Sequence, residues 1–321
     1  MANFRYFLSR TYIDIFRFFR NVRMLIIGLA CGGGLLVINA APISASLGMV
    51  PKAPTMKPYD LSDVVYTKSD SAEVVKLLSE DSGINDVIYF ARRLLGRPYV
   101  AHTLEVADSE KLVVNLQELD CTTLVETVCA LTLTKRQNSA KFADYCRNLE
   151  QLRYFNGVRN GYCSRLHYFT WWMHDNSQRG WVEEVHDSVY FSQPMVVRNY
   201  YMSRYPYRYK FLKSKSNRQR IIADFEKKYN GRDGYFLPKS KTGLSREKLS
   251  SIRDGDIIAI VTNKPGLDYS HLGFAAWGQD DKLHLLNASM VKGEVIEDSQ
   301  TLENYLNRYK HTKGIKVLRL R

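Results

Sequence analysis

Residues 119–131 of this 321-residue chain read LDCTTLVETVCAL, a stretch that places Cys121 at the start of a helix. Apolar residues follow at helical spacing, and neither Gly nor Pro interrupts them. The first turn of a helix carries unpaired N–H groups and partial positive charge, which favour a thiolate over a thiol. A cysteine that only fills the core is the alternative, but the polar neighbours Asp120, Thr122 and Thr123 favour a nucleophile.

Composition and charge predict a globular protein with an anionic ligand. Hydrophobic residues make up 45% of the chain and aromatic residues 12%, and the net charge is +13. No zinc-finger spacing, Gly-rich phosphate loop or base-reading basic helix occurs, so we do not expect a nucleic-acid partner. An anionic polymer or a carboxylate-bearing substrate explains the charge. We expect a monomer, and whether Cys146 and Cys163 pair is left open.

The N-terminal region indicates export. Five arginines stand within the first 23 residues, and residues 24–51 carry no charged side chain. We therefore predict that residues 1–45 form an export signal or a membrane anchor whose basic end stays in the cytoplasm. The small residues around Ala41 suit cleavage, and Cys31 suits lipidation, so periplasmic, membrane-anchored and lipoprotein forms all remain open. Residues 46–70 read as a linker.

Residues 71–321 read as one α+β domain. The segment 71–135 has helical patterning, with one helix ending near Gly96, and 136–250 reads as a helical, aromatic-rich insertion. From residue 252 the pattern becomes β, in the runs GDIIAIVT, HLGFAAWG, KLHLLNASM and GIKVLRLR. A helix-borne cysteine followed by an antiparallel sheet is an α+β arrangement.

A cysteine nucleophile needs a base, and His271 is the leading candidate. It opens the strand HLGFAAWG about 150 residues after Cys121, which is the order of a papain-like layout. A histidine that is merely packed in the sheet is the alternative. His167 and His174 lie on one predicted helix, but no carboxylate completes a metal site with them. We predict neither a metal nor a cofactor.

Strand parity predicts that Asn287 orients the base. If Trp277 pairs with the next strand across a three- or five-residue loop, Asn287 lies opposite His271 or diagonal to it, and His284 faces the other way. A four-residue loop would put His284 on the same face but roughly 13 Å from His271. The Asn287 side-chain oxygen can accept the imidazole N–H and fix the tautomer. The alternative is that Asn287 caps the turn after its strand.

Six separated motifs carry a resemblance: GRPYV, DCTTLVE, SRLHYFTWW, GDIIAIVT, LDYSHLGFA and LLNAS. Together they resemble the N-acetylmuramoyl-L-alanine amidase-like branch of the NlpC-type papain-like cysteine peptidases, from about residue 85 to the C-terminus. This resemblance implies a papain-like fold, and it implies that Cys121 and His271 carry the chemistry. It further implies that Tyr99 and Asp120 border the substrate cleft. One departure is that members of this branch often have a histidine where this chain has Asn287.

The resulting hypothesis is a cysteine-dependent amidase that acts on peptidoglycan or muropeptides through an acyl-enzyme on Cys121. It would cut the amide between N-acetylmuramic acid and L-alanine; an endopeptidase of the stem peptide and a non-catalytic wall-binding module are the alternatives. Arg165, Tyr168 and Trp172 share a helical spacing that suits an acidic peptide and a sugar ring. For Trp172 a place in the core is the alternative.

Overall fold

The structure is a computed structural model that describes residues 59–321. The predicted export signal or anchor of residues 1–45 lies outside the described residues, as does most of the predicted linker. Secondary structure begins inside the remainder of that linker, because a strand covers Val64–Val65 and a helix begins at Lys68. None of the helices in the described range combines the length and the hydropathy that a bilayer span requires.

Most α-helices of the described range precede the large sheet in the chain, two lie between its second and third strands, and one precedes its last strand. They are α1 Lys68–Ser79, α2 Asp86–Arg93, α3 Cys121–Arg136, α4 Phe142–Arg153, α5 Phe169–Gln178, α6 Tyr201–Arg204, α7 Ser216–Tyr229 and α8 Leu302–Arg308. Short 3₁₀ helices cover Phe155–Gly157, Tyr162–Ser164, Pro206–Arg208 and Lys239–Lys241. Side-chain caps fix several starts, such as Thr67 before α1 and Asn85 before α2.

The strands form one small parallel pair and one large antiparallel sheet. The pair is β1 Val64–Val65 with β2 Leu112–Val113. The sheet contains β3 Val182–Glu184, β4 Gln193–Val197, β5 Gly231–Pro238, β6 Ile257–Thr262, β7 Tyr269–Trp277, β8 Leu283–Ser289, β9 Glu294–Glu297 and β10 Thr312–Leu320. Its order is β4-β5-β10-β6-β7-β8-β9, and β3 also pairs with β10. The described part of the chain is therefore α+β.

The large sheet is covered on both faces, which explains the nearly continuous apolar run of its central strand β6. All six residues of β6 are buried. Ile257 and Ala259 belong to the core shared with the helices, whereas Ile258 and Ile260 belong to a second core that includes Leu302 of α8. A strand buried on both sides reads as a continuous apolar run rather than as an alternating one.

The helix that carries Cys121 is the most enclosed element. Twelve consecutive residues of α3, from Thr123 to Thr134, are buried, and the helix contacts α2, α4, β7 and β8. A helix that is buried all round belongs to the interior of a domain. Its one buried carboxylate, Glu126, pairs with Arg153 of α4 at 2.7 Å. Contacts with the neighbouring helices and with the sheet hold α3, and therefore Cys121 at its start, in place.

Two segments differ from the sequence prediction. Residues 94–120 are not helical: α2 ends at Arg93, and backbone contacts such as Tyr99 N–H to Gly293 C=O hold the extended chain. The segment 136–250 is not only helical, because it supplies β3, β4 and β5. Strands β3 and β5 pair with β10, so this segment extends the sheet rather than standing apart from it. The four cysteines of the described range, Cys146 and Cys163 included, are all free.

Candidate active site

Cys121 is the first residue of α3, as predicted, and Asp120 caps the helix. The Asp120 carboxylate accepts from the N–H groups of Thr122 and Thr123, and the Thr123 hydroxyl accepts from the Asp120 N–H. This reciprocal capping box fixes where the helix begins. The N–H groups of a first helical turn have no acceptor within the helix, so the Cys121 N–H is a candidate donor to a negatively charged oxygen.

His271 lies near the start of β7, and its ring is hydrogen-bonded to Asn287 of β8. The His271 Nε2 and Asn287 Oδ1 atoms are 2.9 Å apart, and Asn287 is fully buried. Trp277 pairs with Leu283 across a five-residue loop, which is one of the two registers predicted from parity, and Asn287 is diagonal to His271. Because an amide oxygen can only accept, Nε2 carries the proton and Nδ1 keeps its lone pair.

His284 lies on the opposite face of β8 and plays no part in this pair. Its Nδ1 contacts the Asp298 C=O at 3.0 Å, and its Nε2 contacts the Asp280 carboxylate at 3.1 Å. It pairs across the hairpin with Ala276, five residues beyond His271. The register prediction is confirmed for Asn287 and for His284.

The environment of the pair favours neutral forms of both groups. Burial raises the pKa of the Cys121 thiol to about 12, and the Asp120 carboxylate adds to the rise, while backbone groups of Leu272 and of Cys121 oppose it. Burial lowers the pKa of His271, and the Asn287 hydrogen bond and Asp120 oppose that change. Desolvation at this helix start therefore opposes the thiolate that the positive end of the helix favours.

Cys121 and His271 line one cleft of about 260 Å³. Much of the remaining wall is aromatic and comes from the segment 136–250 and the start of β7: Tyr168, Phe169, Tyr209 and Tyr269. Asp268 also reaches this wall, but its carboxylate accepts from the Thr170 N–H at 2.9 Å and from the Asn199 side chain at 3.1 Å. The cleft is thus a groove lined by aromatic rings and polar groups, with the Cys121 thiol and the His271 imidazole both in its wall.

Tyr99, which the family resemblance places at the cleft, interacts electrostatically with Cys121. Burial raises the pKa of Tyr99 to about 12, and Cys121 and Asp120 contribute to the rise. The backbone of Tyr99 bridges to Leu119, directly before the capping residue. The extended segment before α3 therefore places Tyr99 near Cys121 and Asp120, but neither Tyr99 nor Asp120 is among the described residues that line the cleft.

The prediction that Arg165, Tyr168 and Trp172 share one helix face is wrong. Helix α5 begins at Phe169, so Arg165 and Tyr168 precede it. The Arg165 guanidinium is held by the buried carboxylate of Glu110 at 2.8 Å, which occupies it inside the protein. Trp172 is 1% exposed and belongs to the core. Only Tyr168 lines the cleft, with its hydroxyl donating to Glu226 at 2.7 Å.

Sequence reasoning missed Tyr305. Its ring, on α8, stacks beside the His271 imidazole with 6.1 Å between ring centroids and 22° between planes. No local pattern links a helix near the C-terminus to this histidine, since only the packing of α8 on the sheet brings them together. Asp268, by contrast, stands in the motif LDYSH and had a signal as the polar residue before the strand.

The histidines considered for a metal do not come together. His167 Nε2 contacts the Tyr162 C=O at 2.8 Å, and burial lowers the pKa of His167 to about 3. His174 instead contacts the Asp233 carboxylate at 2.7 Å. Within residues 59–321, no group of three or more His, Cys, Asp or Glu side chains has a metal-binding arrangement.

Known proteins share this fold and much of this sequence. A crystal structure of an N-acetylmuramoyl-L-alanine amidase from Bacteroides uniformis is 38% identical, with a TM-score of 0.69, over 74% of this chain and 98% of that one. A Bacteroides fragilis protein described as a "putative xylanase" is 39% identical, with a TM-score of 0.68, over 73% of this chain and 100% of that one.

A Legionella pneumophila protein at 20% identity, with a TM-score of 0.59 over 78% of this chain and 93% of that one, shares the fold alone. No curated protein matches the chain. The family model described as AmiA-like, N-acetylmuramoyl-L-alanine amidase-like, matches residues 89–315, which include Cys121, His271 and Asn287. This chain therefore belongs to the N-acetylmuramoyl-L-alanine amidase-like family.

Proposed function

We propose that the protein is a cysteine-dependent amidase that cuts the bond between N-acetylmuramic acid and L-alanine in peptidoglycan or its fragments. One observation carries the proposal: a cysteine at the start of a helix and a histidine bonded to Asn287 line the same cleft. Membership of the amidase-like family supports the choice of bond. The Bacteroides uniformis relative is itself named for this reaction.

In the proposed mechanism the Cys121 thiol loses its proton during the attack on the substrate, not before it. His271 Nδ1 takes the thiol proton as Cys121 Sγ attacks the lactyl carbonyl carbon, and the Cys121 N–H stabilises the resulting oxyanion. His271 then gives that proton to the alanine nitrogen, so the C–N bond breaks and a thioester remains. Next His271 takes a proton from water, and the hydroxide attacks the thioester carbonyl carbon. The C–S bond breaks, muramic acid leaves with a free carboxyl group, and His271 returns the proton to the sulfur.

The chain order supports a papain-like assignment of the fold, which we propose alongside the activity. Cysteine on a helix comes first, histidine on an antiparallel strand second, and the orienting amide on the next strand third. In this arrangement Asn287 fixes the imidazole tautomer without moving protons. The amide therefore replaces the histidine that relatives of this branch often have there.

Glycoside hydrolysis, the activity in the name of the Bacteroides fragilis relative, receives no support from the cleft. Glycosidases generally need two carboxyl groups on either side of the bond that is cut. Among the described residues that line this cleft, Asp268 is the only carboxylate, and three polar hydrogens of the protein already occupy it. A stem-peptide endopeptidase would use the same pair, so it is the alternative that the experiment must separate.

The test is product analysis with defined muropeptides. Purified protein is incubated with N-acetylmuramoyl-tripeptide, and products are identified by mass spectrometry. We expect free N-acetylmuramic acid and an intact tripeptide, and no product from the Cys121→Ala protein. Cleavage inside the peptide would establish the endopeptidase instead. Absence of any cleavage, in a protein that still binds the substrate, would support the wall-binding module.

We also propose that the catalytic body acts outside the cytoplasm. The support is the sequence alone: an arginine-rich start ahead of the uncharged span of residues 24–51. A reporter fused after Arg321 that works only after export should be active, and one that works only in the cytoplasm should be silent. The reverse result would leave a cytoplasmic enzyme that acts on recycled fragments.

A further inference from the structure

A second cavity lies beyond His271. Its volume is about 410 Å³, and His271 and Ser270 line both this cavity and the cleft with Cys121. The other walls come from the β8–β9 turn, the loop after β6 and the end of α8. The imidazole therefore stands between two spaces. We call the second one the basic cavity, for the residues described next.

Positive charge dominates the basic cavity. Lys264, Arg308 and Lys310 line it together with His311, and no carboxylate is among the described residues of its wall. None of the three charged side chains makes an ion pair with any residue between 59 and 321, and all three are exposed. Elsewhere in the described range most arginines are committed; Arg165, for example, is locked to Glu110. The basic cavity thus holds unneutralised cations beside the reactive histidine.

Two aromatic rings give this cavity a defined wall. Tyr305 stacks beside His271, and Tyr309 lies 5.3 Å from Tyr305 between ring centroids. Met290 and Val291 are exposed at 71% and 69%, and they form an apolar rim on the turn after β8. Positively charged side chains next to an apolar surface suit a short peptide that carries carboxylates, because the apolar surface can contact the backbone and the methyl groups of the peptide.

The proposed reaction decides which part of the substrate lies in the cleft and which part lies in the basic cavity. In an acyl-enzyme reaction the base that receives the thiol proton delivers it to the leaving nitrogen, so the leaving group must lie on the side of the histidine. The acyl group stays on the cysteine and occupies the other side. For the bond proposed above, the leaving group is an acidic peptide and the acyl group carries the sugar.

We infer that the basic cavity binds the carboxylates of the leaving peptide through Lys264, Arg308 and Lys310, while the ring-lined cleft beside Cys121 holds the sugar. This inference rests on the proposed function for its direction. It assigns to these three residues the recognition of acidic peptide that sequence spacing had assigned to Arg165.

The experiment compares two substrates that differ only in charge. N-acetylmuramoyl-L-Ala-D-Glu and the same compound with both peptide carboxyls amidated are assayed with wild-type protein and with the Arg308→Gln/Lys310→Gln variant. We expect wild type to prefer the acidic substrate, and we expect the variant to lower the ratio of the two kcat/KM values about tenfold. The Arg220→Gln/Lys248→Gln variant changes charge equally on exposed residues away from the cavity and should keep the wild-type ratio.

Two further measurements keep the inference falsifiable. If the variant fails to fold, the salt dependence of wild type decides, because the preference for the acidic substrate must fall as ionic strength rises. Binding of the dipeptide L-Ala-D-Glu to the Cys121→Ala protein, by calorimetry, needs no turnover. Loss of that binding in Cys121→Ala/Arg308→Gln/Lys310→Gln supports the cavity even if no muramoyl substrate is cut. An unchanged ratio or unchanged dipeptide binding overturns it.

Discussion

Two polar pairs, one between α3 and α4 and one between β7 and β8, differ in the charge that they carry. Glu126 and Arg153 are 4% and 2% exposed, 2.7 Å apart, and the guanidinium also donates to the Val113 C=O. His271 and Asn287 are 2.9 Å apart and carry no formal charge. The first pair locks α3 to α4 and needs both members to be ionised. The second stays neutral, so its histidine can accept a proton during reaction.

The largest effect should come from removing the reactive pair itself. Cys121→Ala and His271→Ala should each lower kcat/KM by at least about 10⁴-fold, since the members of a nucleophile–base unit fail together. Thermal unfolding should remain close to wild type, because neither residue holds elements together by an ion pair. A Cys121→Ala protein with near-normal turnover would rule out sulfur as the nucleophile.

Removing one member of the Glu126–Arg153 pair should lower the stability of the fold rather than the rate of the reaction. Glu126→Ala leaves a buried guanidinium uncompensated, which costs about 3–5 kcal/mol of unfolding free energy. Denaturant unfolding measures this, with Glu118→Ala as the control, an exposed carboxylate whose loss should change stability by about 0.5 kcal/mol or less. Replacing both Glu126 and Arg153 by Met should recover much of the loss. If Glu126→Ala unfolds like wild type, the pair does not hold α3.

Asn287 gives a smaller effect, because it positions the base without exchanging protons. Asn287→Ala should lower kcat about tenfold to a hundredfold with measurable activity remaining, a modest share of what an orienting residue can contribute. Asn287→His should retain more activity, since an imidazole nitrogen can also accept the Nε2 proton. His284→Ala is the matched control on the same strand and should behave as wild type. The reverse pattern would contradict the strand register.

The smallest expected effect is a shift in the pH dependence of kcat/KM, which reports whether Cys121 and His271 are neutral before the reaction. The pKa of His271 is lowered by burial, so its basic form persists into acid and kcat/KM should fall only below about pH 6.5. The Asn287 hydrogen bond raises that pKa, so Asn287→Ala should move the acid limb to still lower pH. Because the thiol pKa is about 12, iodoacetamide should alkylate Cys121 slowly at pH 8 and faster as pH rises. Rapid alkylation at pH 6 would indicate a resting thiolate instead.

The parts of the site that sequence predicted are those set by local rules. A capping residue and an uninterrupted apolar pattern are enough to begin α3 at Cys121. The alternation of side chains along the strands of a hairpin fixes which residues share a face of the sheet, and it therefore predicts Asn287 rather than His284 as the partner of His271.

The parts that it missed depend on distant contacts. Arg165 is neutralised by Glu110, 55 residues earlier, and the extended segment before α3 is held by the turn after β8. The protonation state of Cys121 follows from burial, which spacing along the chain cannot report. The basic cavity likewise combines four separate segments of the β-rich part, and spacing along the chain does not show that they meet.

Because His271 lies between the cleft and the basic cavity, its position also determines the order in which the two products leave. Under the proposed mechanism the peptide departs from the basic cavity while the sugar is still covalently held in the other space. The vacated cavity is then the route by which water reaches the imidazole that must activate it. Product inhibition should therefore be asymmetric: added peptide would compete with water for the acyl-enzyme and return it to substrate, whereas added muramic acid would compete only with free substrate.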